Sequence, residues 1–131
     1  MRGGLIRILA LALGSAVLPG CALLVGAAIG AGVVYAVSED SVEVLFDAPF
    51  DEVFDVCEAQ LERSGRVELS DDARGAVEGS VRDSEVSIRI ETTRQGLQRV
   101  TVTARKYEGL GPDLETAQWL ADAISRRLSG R

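Results

Sequence analysis

Two cysteines, Cys21 and Cys57, are the strongest nucleophiles of this 131-residue sequence, and no histidine accompanies them. Nucleophilic catalysis by serine or cysteine needs a neighbouring base, which is most often histidine. The sequence also excludes histidine-ligated metals and the commonest pH switch. We find no paired acid and base, no phosphate-binding glycine loop and no metal-ligand spacing. An enzyme is therefore not predicted, and we expect no cofactor and no metal.

The charge balance is acidic. The chain has 14 basic and 20 acidic side chains, a net charge of −6. Removal of residues 1–20 takes away Arg2 and Arg7, which leaves 12 basic side chains against 20 acidic ones, a net charge of −8. Because nucleic-acid phosphates need a basic face, no nucleic-acid partner is expected.

Residues 1–20 have the pattern of a lipoprotein signal peptide. MRGGLIR is short and basic, and ILALALGSAVL is an apolar run too short to span a membrane comfortably. Leu18, Pro19, Gly20 and Cys21 then resemble the bacterial lipobox, in which the cysteine is acylated and becomes the new N-terminus after cleavage. Pro19 departs from that pattern, since a small or aliphatic residue is usual there. The sequence predicts lipid attachment at Cys21.

The flanking charges predict export. Arg2 and Arg7 precede the apolar segment, whereas Glu39 and Asp40 follow it, so the C-terminal part is expected outside the cytoplasm. Each methylene buried in the bilayer contributes about 0.8 kcal/mol to membrane binding. A diacylated cysteine therefore anchors a protein stably, whereas a single myristoyl chain does not. Ala22 follows the cysteine, where enteric-type lipoproteins retained at the inner membrane have aspartate. That resemblance implies an outer-membrane location facing the periplasm.

Residues 21–40 are predicted to be a lipid-anchored, glycine-rich apolar tether. Ala22, Gly26 and Gly30 recur at intervals of four, as do Ala28 and Gly32, a spacing that lets helices approach closely in a membrane. Two interpretations stay open. The segment either lies in the bilayer interface or against its own domain, or it inserts and self-associates.

An uncut signal anchor is the alternative to the lipoprotein. No charged residue lies between Arg7 and Glu39, so an uncut helix could span the membrane. Against this alternative, Pro19 and Gly20 would break a helix near the middle of that run. Self-association through residues 22–37 would then be the leading function.

Residues 41–131 are predicted to form an α+β periplasmic domain, with a small antiparallel sheet of about five strands and two helices packed on one face, in the order β-α-β-β-β-β-α. The strands are expected in SVEVLF, RVELS, GAVEGSV, EVSIRIE and RVTVTA. Pro49 suits the first turn of the first helix, with Asp47 or Ala48 as its cap, and Gly65 ends that helix. Asp113 is expected to cap the second helix. The predicted buried stripes are Phe50, Val53, Phe54, Cys57 and Leu61 on the first helix, and Leu114, Ala117, Ala121, Ile124 and Leu128 on the second.

Two surface features could contact a partner. Asp51, Asp55, Glu58 and Glu62 line one flank of the first helix, where they could meet a basic partner or simply face solvent. Trp119 falls opposite the buried stripe of the second helix, so it is either an exposed interface anchor or covered by a loop or by the N-terminal segment. Asp71 and Asp72 supply too few ligands for calcium and are better explained as a turn.

The chain resembles a family of small bacterial lipoproteins that is grouped as a domain of unknown function. The resemblance is carried by GCALLVGAAIGAGVVYAV, DAPFDEVFDVCEAQLERSG, GAVEGSVRDSEVSIRIETTRQGLQRVTVTARK and LETAQWLADAISRRL. It implies a lipid-anchored envelope protein without an assigned reaction, and it contributes no catalytic residues.

The sequence therefore favours a non-enzymatic bacterial envelope lipoprotein. It is held at the membrane by its lipid anchor and acts through contacts with another envelope protein or with itself. A domain with an apolar cleft for a small ligand or a lipid is the second hypothesis. An open pocket between the helices and the strands would support that hypothesis, and a filled core would oppose it.

Overall fold

A computed structural model describes residues 35–107 and 110–130 of the chain. The predicted positions Leu18, Pro19, Gly20, Cys21, Gly26, Gly30 and Gly32 lie outside the described residues. The strands are β1 (Tyr35–Ala36), β2 (Ser41–Phe46), β3 (Arg66–Asp71), β4 (Ala76–Val81), β5 (Ser84–Thr92) and β6 (Gln98–Lys106), and the helices are α1 (Phe50–Ser64) and α2 (Leu114–Ser129).

One antiparallel sheet has the strand order β1-β2-β6-β5-β4-β3. Strands β3 to β6 follow one another as hairpins, and the N-terminal β2 pairs with the last strand, β6. The predicted α+β fold with five principal strands and two helices is confirmed. The two-residue β1 adds an edge pair to β2 from within the segment predicted as tether, so the sheet begins at Tyr35 rather than at Ser41.

Helix α1 begins directly after Pro49, which occupies the N-cap with φ −60° and ψ 148° and makes no side-chain capping bond. The cap therefore lies one residue beyond the predicted Ala48. Proline suits this place because its fixed φ leads into the helix and its missing N–H would have no partner there. Gly65 ends the helix as predicted, and its N–H donates to the Leu61 carbonyl at 2.9 Å.

Both helices pack on the same face of the sheet. Helix α1 lies over β3, β4 and β5, α2 lies over β2 and β6, and the helices contact each other. One continuous apolar core fills the space between the layers, with Leu61, Ile88, Leu120 and Ile124 among its fully buried side chains. Such dense packing is the normal state of protein interiors.

The buried faces of α2 and β3 differ from those that the apolar periodicity predicts. The buried face of α2 includes Leu120 and Ala123 beside the predicted positions, while Leu114 and Leu128 are half-buried. In β3, Val67 packs against the core but Leu69 is 44 % exposed, because a bulge shifts the pairing with β4 between these two residues. A bulge inserts one residue and turns the following side chain to the other face.

No helix among the described residues is long and apolar enough to cross a membrane.

Candidate functional site

A groove at one end of the sheet combines the exposed tryptophan with charged side chains. It has a volume of about 330 Å³ and lies between the β4–β5 turn, the end of β6 and the first turns of α2. We call it the Trp119 groove. Its lining residues are Val81, Arg82, Asp83, Ser84, Lys106, Asp113, Glu115, Thr116 and Trp119.

Arg82 partly covers Trp119. The guanidinium carbon of Arg82 lies 5.7 Å from the centre of the indole ring, within cation–π range, and Trp119 remains 43 % exposed. Arg82 and Asp83 form a two-residue turn between the paired Val81 and Ser84. The turn gives Arg82 a φ of 53°, a left-handed conformation that is uncommon for residues other than glycine. The cover predicted as one alternative for Trp119 is thus a neighbouring hairpin, and it is incomplete.

Asp113 joins the start of α2 to the sheet. Its carboxylate accepts hydrogen bonds from the Ser84 hydroxyl at 2.5 Å, from the Thr116 hydroxyl at 2.6 Å and from the Thr116 N–H at 3.2 Å. The Ser84 and Thr116 hydroxyls lower the pKa of Asp113, with a smaller contribution from the nearby Lys106. Because hydrogen bonds to a carboxylate favour its charged form, Asp113 is an anchored structural anion in the floor of the groove.

The buried hydroxyl of Ser84 lies at the groove. The Ser84 hydroxyl donates to the Asp113 carboxylate, which is a weak base because its pKa is lowered. Among the residues that the structure describes, no group of three or more metal-ligating side chains is close enough to hold an ion. Cys57 is buried in the core, and burial raises the pKa of its thiol far above the usual value.

The acidic flank of α1 forms a second, separate groove. Asp51, Asp55 and Glu58 line it together with Asp72 from the β3–β4 turn. Glu62, which we predicted with this set, lies outside that groove and is exposed. Asp71 instead pairs with Arg74 across the turn, at 3.5 Å. Trp119 and the acidic residues thus belong to two different surfaces.

Sequence reasoning missed Ser84, Arg82 and Lys106 as residues of the Trp119 groove. Asp113 was recognised as a helix cap, but its link to Ser84 was not, and neither Arg82 nor Lys106 was associated with the tryptophan. The short turn RDS between two strands was the available signal, because a two-residue hairpin places its first residue at the sheet end. Which helix residue lies beside that turn depends on tertiary packing.

A family model described as "Protein of unknown function (DUF3568)" matches residues 4–127. The match includes both the N-terminal segment and the α+β domain. No curated protein matches the chain.

Proposed function

The chain belongs to the DUF3568 family of proteins of unknown function, and from its own residues we propose that it is a non-enzymatic bacterial envelope lipoprotein. Acylated Cys21 holds it at a membrane, with an outer-membrane location facing the periplasm, and the domain acts through protein contacts. The support for the anchor is the signal-like N-terminus ending in Leu18, Pro19, Gly20 and Cys21.

The Trp119 groove is the observation that carries the protein-contact part of the proposal. Tryptophan and arginine are the residue types most enriched at interface hot spots, and here they lie in contact with each other. The position of Arg82 in a left-handed turn supports this choice, because strained backbone clusters at functional sites. The partner we propose is a protein segment that packs on the free part of the indole.

The apolar-cleft hypothesis receives no comparable support. Val42, Val102 and Ile124 are fully buried between the sheet and the helices, where a ligand would have to bind. The Trp119 groove and the acidic groove both lie at the surface and are lined by charged side chains. We therefore do not propose a lipid or small-ligand carrier.

The intact mass of the membrane-extracted protein tests the anchor. For the wild type we expect loss of residues 1–20 and added acyl mass, and for Cys21→Ser we expect neither. A full-length, unmodified wild-type chain would instead establish the signal-anchored alternative that self-associates through residues 22–37.

Cross-linking in intact cells, followed by capture of the tagged protein, tests the contact surface. Trp119→Ala should weaken the specific cross-linked species at least tenfold, since hot-spot truncations cost about 2 kcal/mol or more. Leu69→Ala is the matched control, because Leu69 is equally exposed but lies on β3. Circular dichroism should show both variants folded. Equal cross-linking by Trp119→Ala and the wild type would show that the Trp119 groove is not the contact surface.

A further inference from the structure

We infer that residues 31–34 extend β1 as a strand along the outer edge of β2. The last part of the apolar segment is then bound to its own domain, which is one of the two interpretations that the sequence leaves open for this segment. The inference concerns the sheet alone, so it holds whether or not Cys21 is acylated.

The pairing of β1 with β2 directs the preceding chain along that edge. The two strands are antiparallel, with Tyr35 opposite Glu43. The chain before Tyr35 therefore runs beside the second half of β2, away from the β1–β2 turn. Continued without a bulge, this register places Val33 opposite Leu45. Val33 and Val34 are β-branched residues, which suit an extended strand.

Leu45 directs its backbone N–H and carbonyl toward this outer edge. Successive residues of a strand direct these groups to opposite sides. On the β1 side, the Ser41 carbonyl accepts from the Val37 N–H at 3.0 Å. On the β6 side, the Asp40 carbonyl accepts from the Ala104 N–H at 2.9 Å. The odd-numbered residues of β2 thus point outward, and the described part of β1 ends before it reaches Leu45.

The two edges of the sheet differ in their protection. An open edge strand pairs readily with other chains, so natural sheets protect their edges with bulges, charges or proline. The edge strand β3 has a bulge between Val67 and Leu69 and carries Arg66 and Glu68. The second half of β2, Val44–Phe46, has no charge, no proline and no bulge. This stretch is therefore suited to being covered, and the register supplies the preceding residues of the same chain as the cover.

The side of α2 above this edge is buried as well. Arg127 donates to Gln60 of α1 at 3.4 Å, which identifies the side of α2 that faces α1. Ser125 lies about 160° around the helix axis from Arg127, on the side that overhangs the edge of β2. Ser125 is only 7 % exposed, and its hydroxyl has no hydrogen-bond partner among the described residues. Because an unpaired buried hydroxyl is costly, a backbone group of an added strand is the kind of partner that Ser125 lacks.

The added strand shortens the proposed membrane linker. With Cys21 acylated, residues 22–30 are what remains between the lipid and the sheet, and a fully extended chain of that length reaches about 30 Å at most. The domain is then held close to the bilayer, so the proposed protein partner is one that lies near the membrane surface. This consequence, unlike the strand itself, rests on the proposed anchor.

Amide hydrogen exchange measured by NMR tests the strand. The sample is the full-length Cys21→Ser protein in detergent, so the result does not depend on lipid attachment. If Val33 pairs with Leu45, the Leu45 N–H donates to the Val33 carbonyl. We therefore expect the Leu45 amide to exchange about 100-fold or more slowly than the amide of Arg94 in the exposed β5–β6 turn. Equal exchange of these two amides overturns the inference.

Two proline variants form the matched controls. Val33→Pro removes an N–H that points toward β2, so the Leu45 amide should lose its protection. Val34→Pro removes an N–H that points away from β2, where an edge strand tolerates proline, so the protection should remain. The amide of Val102 in the central strand β6 should stay protected in both variants, which shows that the domain is folded.

Three other results would contradict the added strand. Protection of Leu45 that survives Val33→Pro would come from elsewhere in the molecule. Equal loss in the two proline variants would show that the segment covers Leu45 without pairing in this register. Protection that increases with protein concentration would indicate that a second copy occupies the edge. Because the lipid is absent from this sample, none of these results bears on the anchor, which the intact mass of the wild type decides.

Discussion

Arg82 occupies a backbone conformation that normally favours glycine, asparagine or aspartate. Its φ of 53° costs about 1–2 kcal/mol for a residue with a Cβ. The cation–π contact of its guanidinium with Trp119 returns about 0.5–1 kcal/mol at an exposed position. The cation–π contact thus offsets only part of the backbone cost, so Arg82 does not stabilise the fold. A role in the Trp119 groove is the better explanation for arginine at this turn.

Replacing Arg82 separates these two effects. We expect Arg82→Gly to be more stable than Arg82→Ala by about 1 kcal/mol, because only glycine removes the left-handed strain. Urea unfolding measures this difference. Both variants should change the emission of Trp119, the single tryptophan of the chain, whereas Arg94→Ala in the exposed β5–β6 turn should not. Equal stability of the glycine and alanine variants would show that the turn is unstrained.

The stability that Asp113 contributes to the domain should be lost in acid. Hydrogen bonds from Ser84 and Thr116 lower the pKa of Asp113 from the ordinary value of 3.8. A lowered pKa in the folded state gives stability that is present above the unfolded value and is lost as the pH falls through the folded value. At pH 7 we expect Asp113→Ala to cost about 1 kcal/mol as the loss of an N-cap. Urea unfolding from pH 7 to pH 2 should show this cost shrinking below about pH 4. A cost that stays constant to pH 2 would contradict the role of the charge.

Strand β3 approaches β4 closely beside its bulge, and Gly79 makes that approach possible. A Cβ at Gly79 would lie 1.9 Å from the Arg66 carbonyl oxygen and 3.2 Å from a methyl carbon of Leu61. The same residue pairs with Val67, the last residue before the bulge shifts the register. Glycine at this position allows the edge strand β3 to pair closely with β4, and it allows Leu61 of α1 to pack against β4.

Gly79→Ala should destabilise the domain by about 2 kcal/mol, because overpacking of this kind costs about 1–3 kcal/mol and the obstructing atom belongs to the backbone. Thermal unfolding followed by circular dichroism measures the loss. Glu78→Ala, the neighbouring position on the exposed face of β4, is the control and should change stability by less than about 0.5 kcal/mol. If the two variants are equally stable, β3 adapts without cost.

Periodicity predicted β2, β5, β6 and both helices well because each of these elements has a continuous apolar face. The alternation in β2, with Val42, Val44 and Phe46 buried, is the pattern expected of a half-buried strand. The exposure of Leu69 escaped prediction, since a bulge depends on how β3 meets Gly79 rather than on β3 itself. The contact of Arg82 with Trp119 escaped for the same reason, as it joins a turn and a helix far apart in sequence.

The molecule as a whole has two different ends. The loops with Val37 and Leu110 lie at the end that holds the Trp119 groove, while the acidic groove with Asp51 and Asp72 lies at the other end. Between them, a single core joins the two helices to every strand from β2 to β6. A domain with one core is expected to unfold as a unit. The Trp119 groove and the acidic groove should therefore be lost in the same unfolding transition.

Cys57 should report that unfolding directly. It lies fully buried at the centre of α1, and burial raises the pKa of its thiol, so the folded protein should resist thiol reagents at pH 8. In the Cys21→Ser protein we expect labelling to be slower than in the unfolded chain by a factor of about 10³–10⁴, which corresponds to a free energy of unfolding of about 5 kcal/mol. The urea midpoint for labelling should coincide with that of Trp119 emission, and an added Leu69→Cys should react at once. Rapid reaction of Cys57 in urea concentrations where Trp119 emission is still native would show that α1 opens independently of the sheet.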